Sequence, residues 1–315
     1  MTTPFRGIYP ILYAYFGTDG RLDEGAMRRQ VRCCLAGGAH GLAVLGLATE
    51  VNKLSPAEKR DVVRWCADEI SRWSAEEIAG RVPLAVTVAE ATAEEAASFV
   101  LDAEALGADW CILQPPPVRG LPESEYVAWY GLVADLVGRR SAIPLGIQNA
   151  AAYIGVGLTP GGVATLARNH ANVKLIKAED SAVDVQRLVE ATGGALTVFN
   201  GRAGLELPDC LRAGCAGMIP APECADIQAR VFDLMAAGDA AGAEAEYRRI
   251  LPMIAFAMQG VAMFLCYGKR MTAWRMGLPE VIERPPALPP SPFGLDCARR
   301  FADALGPYPG AEGRA

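Results

Sequence analysis

Eight short apolar runs recur along this 315-residue chain, and each is followed by a turn and a longer segment of helical periodicity. The runs span residues 8–12, 41–45, 83–88, 110–114, 144–148, 173–177, 196–200 and 216–219. Such runs, alternating with helical segments, are typical of βα units in a parallel sheet. Because doubly wound sheets more often have about five or six strands, eight units favour an α/β fold of the closed (β/α)8 type, a TIM barrel.

The strand pattern stops after the eighth run, whereas helical periodicity continues toward the C-terminus. Residues 283–292 are rich in proline and predict an extended segment, followed by a last helix near residues 295–305. Residues 306–315 are expected to form a frayed tail. We therefore expect a barrel over residues 1–223 and a C-terminal helical subdomain over residues 224–315.

The charge balance and hydropathy of the chain exclude several classes of partner. The sequence has 30 Lys and Arg against 36 Asp and Glu, a net charge of −6, and so offers no basic surface for nucleic acid. Its most apolar stretch, residues 251–267, is shorter than the roughly 20 residues that span a bilayer. Residues 1–6 lack the features of a signal peptide. We expect a cytoplasmic protein with no membrane or nucleic-acid partner.

Cysteine and histidine usage limits the chemistry that the chain can perform. The nine cysteines contain no C-x-x-C pair and mostly stand alone in apolar runs, which favours core thiols in a reducing compartment. The two histidines, His40 and His170, leave little for a zinc site or a Ser-His-Asp triad. We expect no metal and no cofactor, and a catalytic site built from carboxylates, tyrosine and lysine.

Lys177 closes the sixth apolar run, at the end of a strand where this fold carries its catalytic groups. A lysine there points its amine into the barrel mouth, where desolvation lowers the pKa of the ammonium and makes it a nucleophile toward carbonyls. The alternative is a lysine that snorkels at the rim or pairs with Glu179. The pattern by itself leaves both interpretations open.

Several ordered motifs resemble one family, that of dihydrodipicolinate synthase and N-acetylneuraminate lyase. They are the loop Gly46-Leu47-Ala48-Thr49-Glu50, the strand Asn172-Val173-Lys174-Leu175-Ile176-Lys177, the pair Asn200-Gly201, and the run from Gly214 to Ile219. The resemblance implies that Lys177 forms an imine with the keto carbon of a 2-keto acid. It also implies a substrate-binding set of Gly46, Ala48, Thr49, Glu50, Gln148, Asn149, Asn200 and Gly201.

The chain departs from the usual pattern of this family at three positions. Leu47 and Ala48 replace a threonine pair, so the substrate carboxylate must rely on backbone N–H groups and Thr49. Pro117 occupies the position of a proton-relay tyrosine, and Tyr153 stands where an arginine is common. Synthesis of dihydrodipicolinate is therefore disfavoured.

One branch, the sugar-acid dehydratases exemplified by 2-keto-3-deoxyarabonate dehydratase, is the most similar. It shares Thr49-Glu50, Gln148, the Lys177-x-Glu179 spacing and the stretch from Glu283 to Pro285. That branch usually retains the strand-four tyrosine that Pro117 replaces. The resemblance thus implies a 2-keto-3-deoxy sugar acid dehydratase or a related pyruvate aldolase.

A lyase of this kind needs a proton carrier near the imine, and the sequence offers Glu179, Tyr153, Tyr13 and Glu50. Glu179 has the best argument, because residues two apart on a strand project to the same side. Tyr153 either carries protons or binds substrate, and Tyr13 either carries protons or packs at a subunit interface. Glu50 is expected to cap the following helix or to bond loop amides. The predicted catalytic set is Lys177, Glu179 and Tyr153.

Two hypotheses of function follow from these residues. The first is a carbon–oxygen or carbon–carbon lyase that uses a lysine imine and acts on a small 2-keto acid. The second is a catalytically lapsed relative that binds a 2-keto acid as a regulatory protein. The apolar stretch at residues 251–267 predicts a covered surface and hence a homo-oligomer, a tetramer first and a dimer second.

Overall fold

The computed structural model describes residues 5–76 and 81–311, and its centre is a ring of parallel strands. The strands are β1 (Gly7–Ile8), β2 (Leu42–Val44), β3 (Leu84–Val88), β4 (Trp110–Leu113), β5 (Leu145–Asn149), β6 (Val173–Ala178), β7 (Thr197–Asn200) and β8 (Gly217–Met218). From β2 to β8 neighbours pair in chain order, and β8 also pairs with β1. The Leu12 N–H donates to the Ala43 carbonyl (2.9 Å), which joins the chain after β1 to β2. The predicted TIM barrel is confirmed.

Aromatic rings fill part of the barrel interior. Tyr9, Trp110 and Phe199 come from β1, β4 and β7 or the residue beside them, and their ring centroids lie 5.1, 5.7 and 6.2 Å apart. All three side chains are buried. Gly146 on β5 leaves room for this cluster, because a Cβ there would lie 3.1 Å from the Trp110 ring. Each buried ring contributes about 2–3 kcal/mol to folding, so the cluster anchors the sheet beneath the barrel mouth.

Helices surround this sheet and continue beyond it. The described residues form α1 (Glu24–Ala36), α2 (Pro56–Glu76), α3 (Ala93–Ala105), α4 (Glu123–Gly138), α5 (Ala151–Ile154), α6 (Pro160–Asn169), α7 (Ala182–Thr192), α8 (Leu207–Arg212), α9 (Ala225–Ala236), α10 (Ala240–Ala257), α11 (Val261–Met263), α12 (Lys269–Arg275) and α13 (Pro292–Leu305). Side-chain caps fix several N-termini. Thr159 accepts from the Gly162 N–H, and Ser55 and Glu58 bond each other's N–H groups.

The C-terminal region differs from the prediction at its helix boundaries. Residues 251–267 are not one helix, because α10 ends at Ala257 and the chain turns at Gly260 before α11 and a π-helical turn. Helix α13 begins inside the segment predicted to be extended. Ser291 caps it by accepting from the Gly294 N–H (3.1 Å), and proline suits the first turn of a helix.

The prediction of a frayed tail is wrong for residues 306–311. Tyr308 is only 2% exposed, and its N–H donates to the Arg275 carbonyl (2.7 Å). Its ring also packs on the Arg275 guanidinium. These contacts tie the chain end to α12, whereas residues 312–315 lie outside the described residues.

Helix α9 follows β8 and packs against β1 and α8. The predicted boundary between barrel and C-terminal helices after residue 223 stays a prediction. Within the part of the chain that the structure describes, no single helix is long and apolar enough to cross a membrane. Helix α10 and the segment from Val261 to Arg275 meet that criterion only as a pair, bent by 110°.

Candidate active site

Lys177 and Glu179 form an ion pair at the carboxyl end of β6. The Lys177 Nζ lies 2.7 Å from Glu179 Oε1, and both side chains are almost fully buried. Two residues along an extended chain return to the same face, which is why the sequence could predict that these side chains converge. Lys177 therefore lies at the barrel mouth, as predicted. It also pairs with Glu179, which was the alternative interpretation of this lysine.

Backbone hydrogen bonds fix Glu179 on the side away from Lys177. The carboxylate Oε2 accepts from the Arg202 N–H (2.7 Å), and the backbone N–H of Glu179 donates to the Asn149 carbonyl (3.0 Å). Gly201 permits this approach, because a Cβ at that position would collide with the Glu179 carboxylate. The predicted residue Gly201 thus supports the site by leaving space for Glu179.

A pocket opens above this ion pair, with about 480 Å³ of space free of atoms, part of it open to solvent. Its polar lining consists of Tyr153, Lys177, Glu179 and Arg202. Its apolar lining consists of Ile11, Leu47, Ala48, Ala203, Ile219, Ala221, Met258, Val261 and Phe264. The pocket therefore lies where the strand ends of the barrel meet the C-terminal helices.

The loop after β7 carries Arg202 into the pocket in a constrained conformation. Arg202, Ala203 and Glu206 have φ values of 53°, 52° and 58°, in the left-handed region that non-glycine residues seldom adopt. The C-terminal helices hold this loop: Gln228 donates to the Ala203 carbonyl (2.8 Å), and the Glu206 N–H donates to the Tyr247 hydroxyl (2.8 Å). The Arg202 guanidinium pairs with Glu206 at 2.9 Å. Strain held in this way is common at ligand sites.

Tyr153, on α5, faces the same pocket from the loop after β5. Burial raises the pKa of its hydroxyl, and the negative charge of Glu179 raises it further, while a hydrogen bond with Arg202 opposes both. The hydroxyl is therefore a proton donor rather than an anion at neutral pH. Tyr153 is close enough to Glu179 for their charges to interact.

Strand register separates the polar residues at the ends of β5 and β7. Gln148 pairs in register with Lys177, whereas Asn149 and Asn200 both pair with Ala178. Because successive side chains point to opposite faces, Gln148 shares the interior face with Lys177 and the two asparagines do not. Gln148 Oε1 accepts from Gln114 (3.1 Å).

Asn149 and Asn200, predicted to bind substrate, have side-chain amides that bond the backbone of neighbouring loops. Asn149 Oδ1 accepts from the Leu158 N–H (2.6 Å), and its Nδ2 donates to the Leu158 carbonyl (3.2 Å). Asn200 bonds both the N–H and the carbonyl of Asp180, at 3.2 and 2.9 Å. Their amides are engaged outside the pocket, so they support its walls.

Of the residues in the loop after β2 that were predicted to bind substrate, only Ala48 lines the pocket. Ala48 lines it beside Leu47, whereas Gly46 packs so closely on Ile11 that a Cβ would collide with that side chain. The Thr49 hydroxyl donates to the Leu12 carbonyl (2.7 Å) and accepts from the Leu45 N–H (2.9 Å). Thr49 therefore shapes the turn. Its hydroxyl was predicted to bind the substrate carboxylate, but it is engaged by the backbone at Leu12 and Leu45.

Glu50 has a different role from the expected helix cap. Its backbone lies in the left-handed region at φ 52°, and its side chain makes no capping bond. Both carboxylate oxygens instead bond lysines, Oε1 with Lys269 and Oε2 with Lys53. Lys269 is fully buried and also pairs with Glu283 (2.9 Å). Glu50 thus ties the β2 loop to the C-terminal region.

Pro117, at the position of the family's relay tyrosine, and Tyr13, a candidate proton carrier, also lie outside the pocket lining. Pro117 is exposed in the loop after β4. Tyr13 is fully buried, and its hydroxyl donates to Glu223 Oε1 at 2.5 Å. Burial raises the pKa of Glu223 to about 7. The sequence pattern did not predict the apolar wall at Met258 and Val261, or the buried groups Glu223 and Lys269 outside the pocket lining, because only tertiary packing brings these residues to their places.

No cluster of three His, Cys, Asp or Glu side chains that could hold a metal ion occurs among the described residues. The cysteines are free thiols, and all but the half-buried Cys297 are buried. The polar side chains that line the pocket are a lysine, a carboxylate, a tyrosine and an arginine.

Comparison with known proteins agrees with this geometry. The family model described as the dihydrodipicolinate synthetase family matches residues 4–292. The chain belongs to this family. The predicted resemblance is thereby confirmed, and family members are lyases, so an enzyme is supported.

Relatives with different reactions match the chain at similar identity. An L-2-keto-3-deoxyarabonate dehydratase from Azospirillum brasilense is 28% identical over 260 residues, covering 80% of each chain. A 4-hydroxy-tetrahydrodipicolinate synthase from Nitrobacter hamburgensis is 30% identical over 302 residues, covering 92% of this chain and 93% of that one.

A third relative has a solved structure. YagE of Escherichia coli, whose proposed activity is that of a 2-dehydro-3-deoxy-D-gluconate aldolase, is 27% identical over 203 residues, covering 64% of this chain and 63% of its own. Its crystal structure in complex with pyruvate superposes with a TM-score of 0.83 at 23% identity, over 96% of this chain and 99% of that one. That likeness shows the fold, and it agrees with the barrel described above.

Proposed function

We propose that this chain is a lyase that forms an imine between Lys177 and the keto carbon of a 2-keto acid. The observation that carries the proposal is the buried Lys177–Glu179 pair, 2.7 Å apart, at the floor of a pocket at the strand ends. Glu179 can take a proton from the lysine ammonium, and the free amine is the nucleophile that a carbonyl requires. The family to which the chain belongs makes small-molecule chemistry the appropriate setting.

The proposed reaction begins and ends with the free Lys177 amine. The amine attacks C2, and water leaves to give an iminium. In dehydration, loss of a proton from C3 gives an enamine, which expels the C4 hydroxyl as water once that hydroxyl is protonated, and addition of water to the resulting unsaturated iminium releases the product. In aldol cleavage, loss of a proton from the C4 hydroxyl breaks the C3–C4 bond, so that an aldehyde leaves and the electron pair forms the three-carbon enamine of pyruvate. Protonation of that enamine at C3 and addition of water then release pyruvate and regenerate the lysine.

Both outcomes share the imine, and the relatives include both reaction types. A 2-keto-3-deoxy sugar acid dehydratase is supported by the similarity to the Azospirillum enzyme, and a pyruvate aldolase by the similarity to YagE. Glu179 is the proposed carrier of the proton at C3 or at the C4 hydroxyl, and Tyr153 is the proposed second donor. Tyr153 suits that role because its raised pKa keeps the phenol protonated.

The alternative is a relative that binds a 2-keto acid without catalysis, which the replacement of the relay tyrosine by Pro117 favours. Exchange of deuterium from solvent into the methyl group of pyruvate separates the two. We expect the wild type to promote exchange and Lys177→Ala to abolish it. Lys174→Ala is the matched control, because that residue lies on the same strand and outside the pocket lining. Absence of exchange in the wild type would support the binding protein.

A further inference from the structure

Polar and apolar side chains lie on different parts of the pocket wall. The polar ones come from the ends of β5, β6 and β7 and the loops that follow, at Tyr153, Lys177, Glu179 and Arg202. The remaining nine of the thirteen lining residues are apolar. A bound molecule that reaches Lys177 must therefore present a polar part to one arc and an apolar part to the other.

The polar side chains are already engaged with one another. Lys177 pairs with Glu179, and Arg202 pairs with Glu206 at 2.9 Å. Arg202 also lies close enough to Tyr153 to lower the pKa of its hydroxyl. Thr49, the hydroxyl that could have served the β2 side, bonds the backbone at Leu12 and Leu45 instead. The lining thus has few groups to spare for substrate hydroxyls beyond the reacting atoms.

The apolar arc faces the position that the far end of a substrate must occupy. C2 has to lie at the Lys177 amine, and a C4 hydroxyl that is to exchange protons has to lie toward Glu179 and Tyr153. The rest of the lining, which carbons beyond C4 must then contact, is apolar and includes Met258, Val261 and Phe264 from the C-terminal region.

We infer that this site selects 2-keto acids whose chain beyond C4 is apolar, not polyhydroxylated. The inference rests on the proposed lysine imine, and it replaces the polyhydroxylated sugar acids that similarity to the Azospirillum enzyme suggests with an apolar substrate class. A hydroxyl buried without a partner lowers kcat/KM by about tenfold, whereas a methylene at the same place gains from leaving water. In the aldol direction, the preferred acceptor is accordingly an aliphatic or aromatic aldehyde, not a sugar aldehyde.

Two substrates of equal chain length test this selectivity. One is the aliphatic acid 4-hydroxy-2-oxohexanoate, and the other is its 4,5,6-trihydroxy analogue, which differs by two hydroxyls. We expect the wild type to show a kcat/KM for the aliphatic acid at least about tenfold above that for the analogue, with the difference mainly in KM. Equal values, or a preference for the trihydroxy acid, would overturn the inference.

A substitution that keeps shape and adds a hydroxyl provides the second measurement. Val261→Thr places an oxygen in the apolar arc, and we expect it to shift the ratio of the two kcat/KM values about tenfold toward the trihydroxy acid. Val127→Thr is the control, because Val127 is half-buried on α4 and away from the pocket, and it should leave the ratio unchanged. An unchanged ratio in Val261→Thr contradicts the inference.

Failure of the inference and failure of the proposed function have different signatures. If the wild type promotes deuterium exchange into pyruvate but prefers the trihydroxy acid, the lysine imine stands and the substrate class is wrong. If neither exchange nor turnover of either acid occurs, the proposed function itself fails.

Discussion

Glu223 carries a buried carboxyl group that forms no ion pair among the described residues. We predict that its ionisation makes the free energy of unfolding depend on pH. Its Oε1 accepts from the Tyr13 hydroxyl at 2.5 Å. The nearby Arg275 guanidinium is engaged elsewhere, with Asp226 (2.7 Å) and the Glu223 backbone carbonyl (2.7 Å). Burial raises the Glu223 pKa from 4.5 to about 7, and the Tyr13 hydrogen bond lowers it by less.

The sign of the effect follows from proton binding. Between pH 4.5 and about 7 the folded state holds a proton on Glu223 that the unfolded state has lost. Stability therefore falls as pH rises through this interval, and the total loss is ~3 kcal/mol. Glu223→Gln removes the titration and retains an oxygen that can accept from Tyr13. The variant should gain stability relative to wild type by up to that amount between pH 5 and pH 8.

Equilibrium unfolding in urea, followed by tryptophan fluorescence at pH 5, 6, 7 and 8, measures this difference. Subtracting wild type from variant at each pH cancels the titration of the other groups. Glu94→Gln, at an exposed position on α3, controls for the loss of one carboxyl. A difference for Glu223→Gln that is flat with pH, or that falls as pH rises, refutes the reasoning.

Three further predictions address the site, the C-terminal link and the assembly. Gly201→Ala should displace the Glu179 carboxylate and slow deuterium exchange into pyruvate by about tenfold or more. Gly161→Ala is the control, because a Cβ there meets only Thr159, at 3.7 Å, and exchange should be unchanged. Equal exchange rates in the two variants would count against the Gly201–Glu179 contact. Lys269→Met removes the fully buried cation shared by Glu50 and Glu283, which keep Lys53 and Arg270, and should cost about 3 kcal/mol in urea unfolding; a cost under about 1 kcal/mol contradicts this. Light scattering at micromolar concentration should give a homotetramer, with a dimer second, because part of the apolar stretch at residues 251–267 is uncovered, including Leu251 at 37% exposure; the mass of one chain would contradict it.

The fold could be predicted from local pattern because each βα unit carries its own signal. Every predicted run overlaps a strand, and a helix follows each strand as the pattern predicts. The C-terminal region could not be predicted in the same way. Whether Pro292 continues an extended segment or opens a helix depends on the Ser291 cap, and the order of residues 306–311 depends on Tyr308 packing against Arg275.

The site could be predicted in part, and strand periodicity explains which part. Lys177 and Glu179 lie two residues apart and converge, as predicted. The same period places Asn149 and Asn200 on the opposite face of the sheet, where they bond loop backbone. Motif resemblance alone had grouped them with the substrate-binding residues, because a sequence motif carries no record of strand register.

The proposed imine between Lys177 and a 2-keto acid can be trapped covalently. Borohydride reduces such an imine in the presence of pyruvate, and intact-mass and peptide mass spectrometry then locate the product. We expect one added reduced pyruvyl group per chain, located on Lys177 and not on Lys174 of the same strand, and none in Lys177→Ala. An unchanged mass in the wild type, or a label on another lysine, would contradict it.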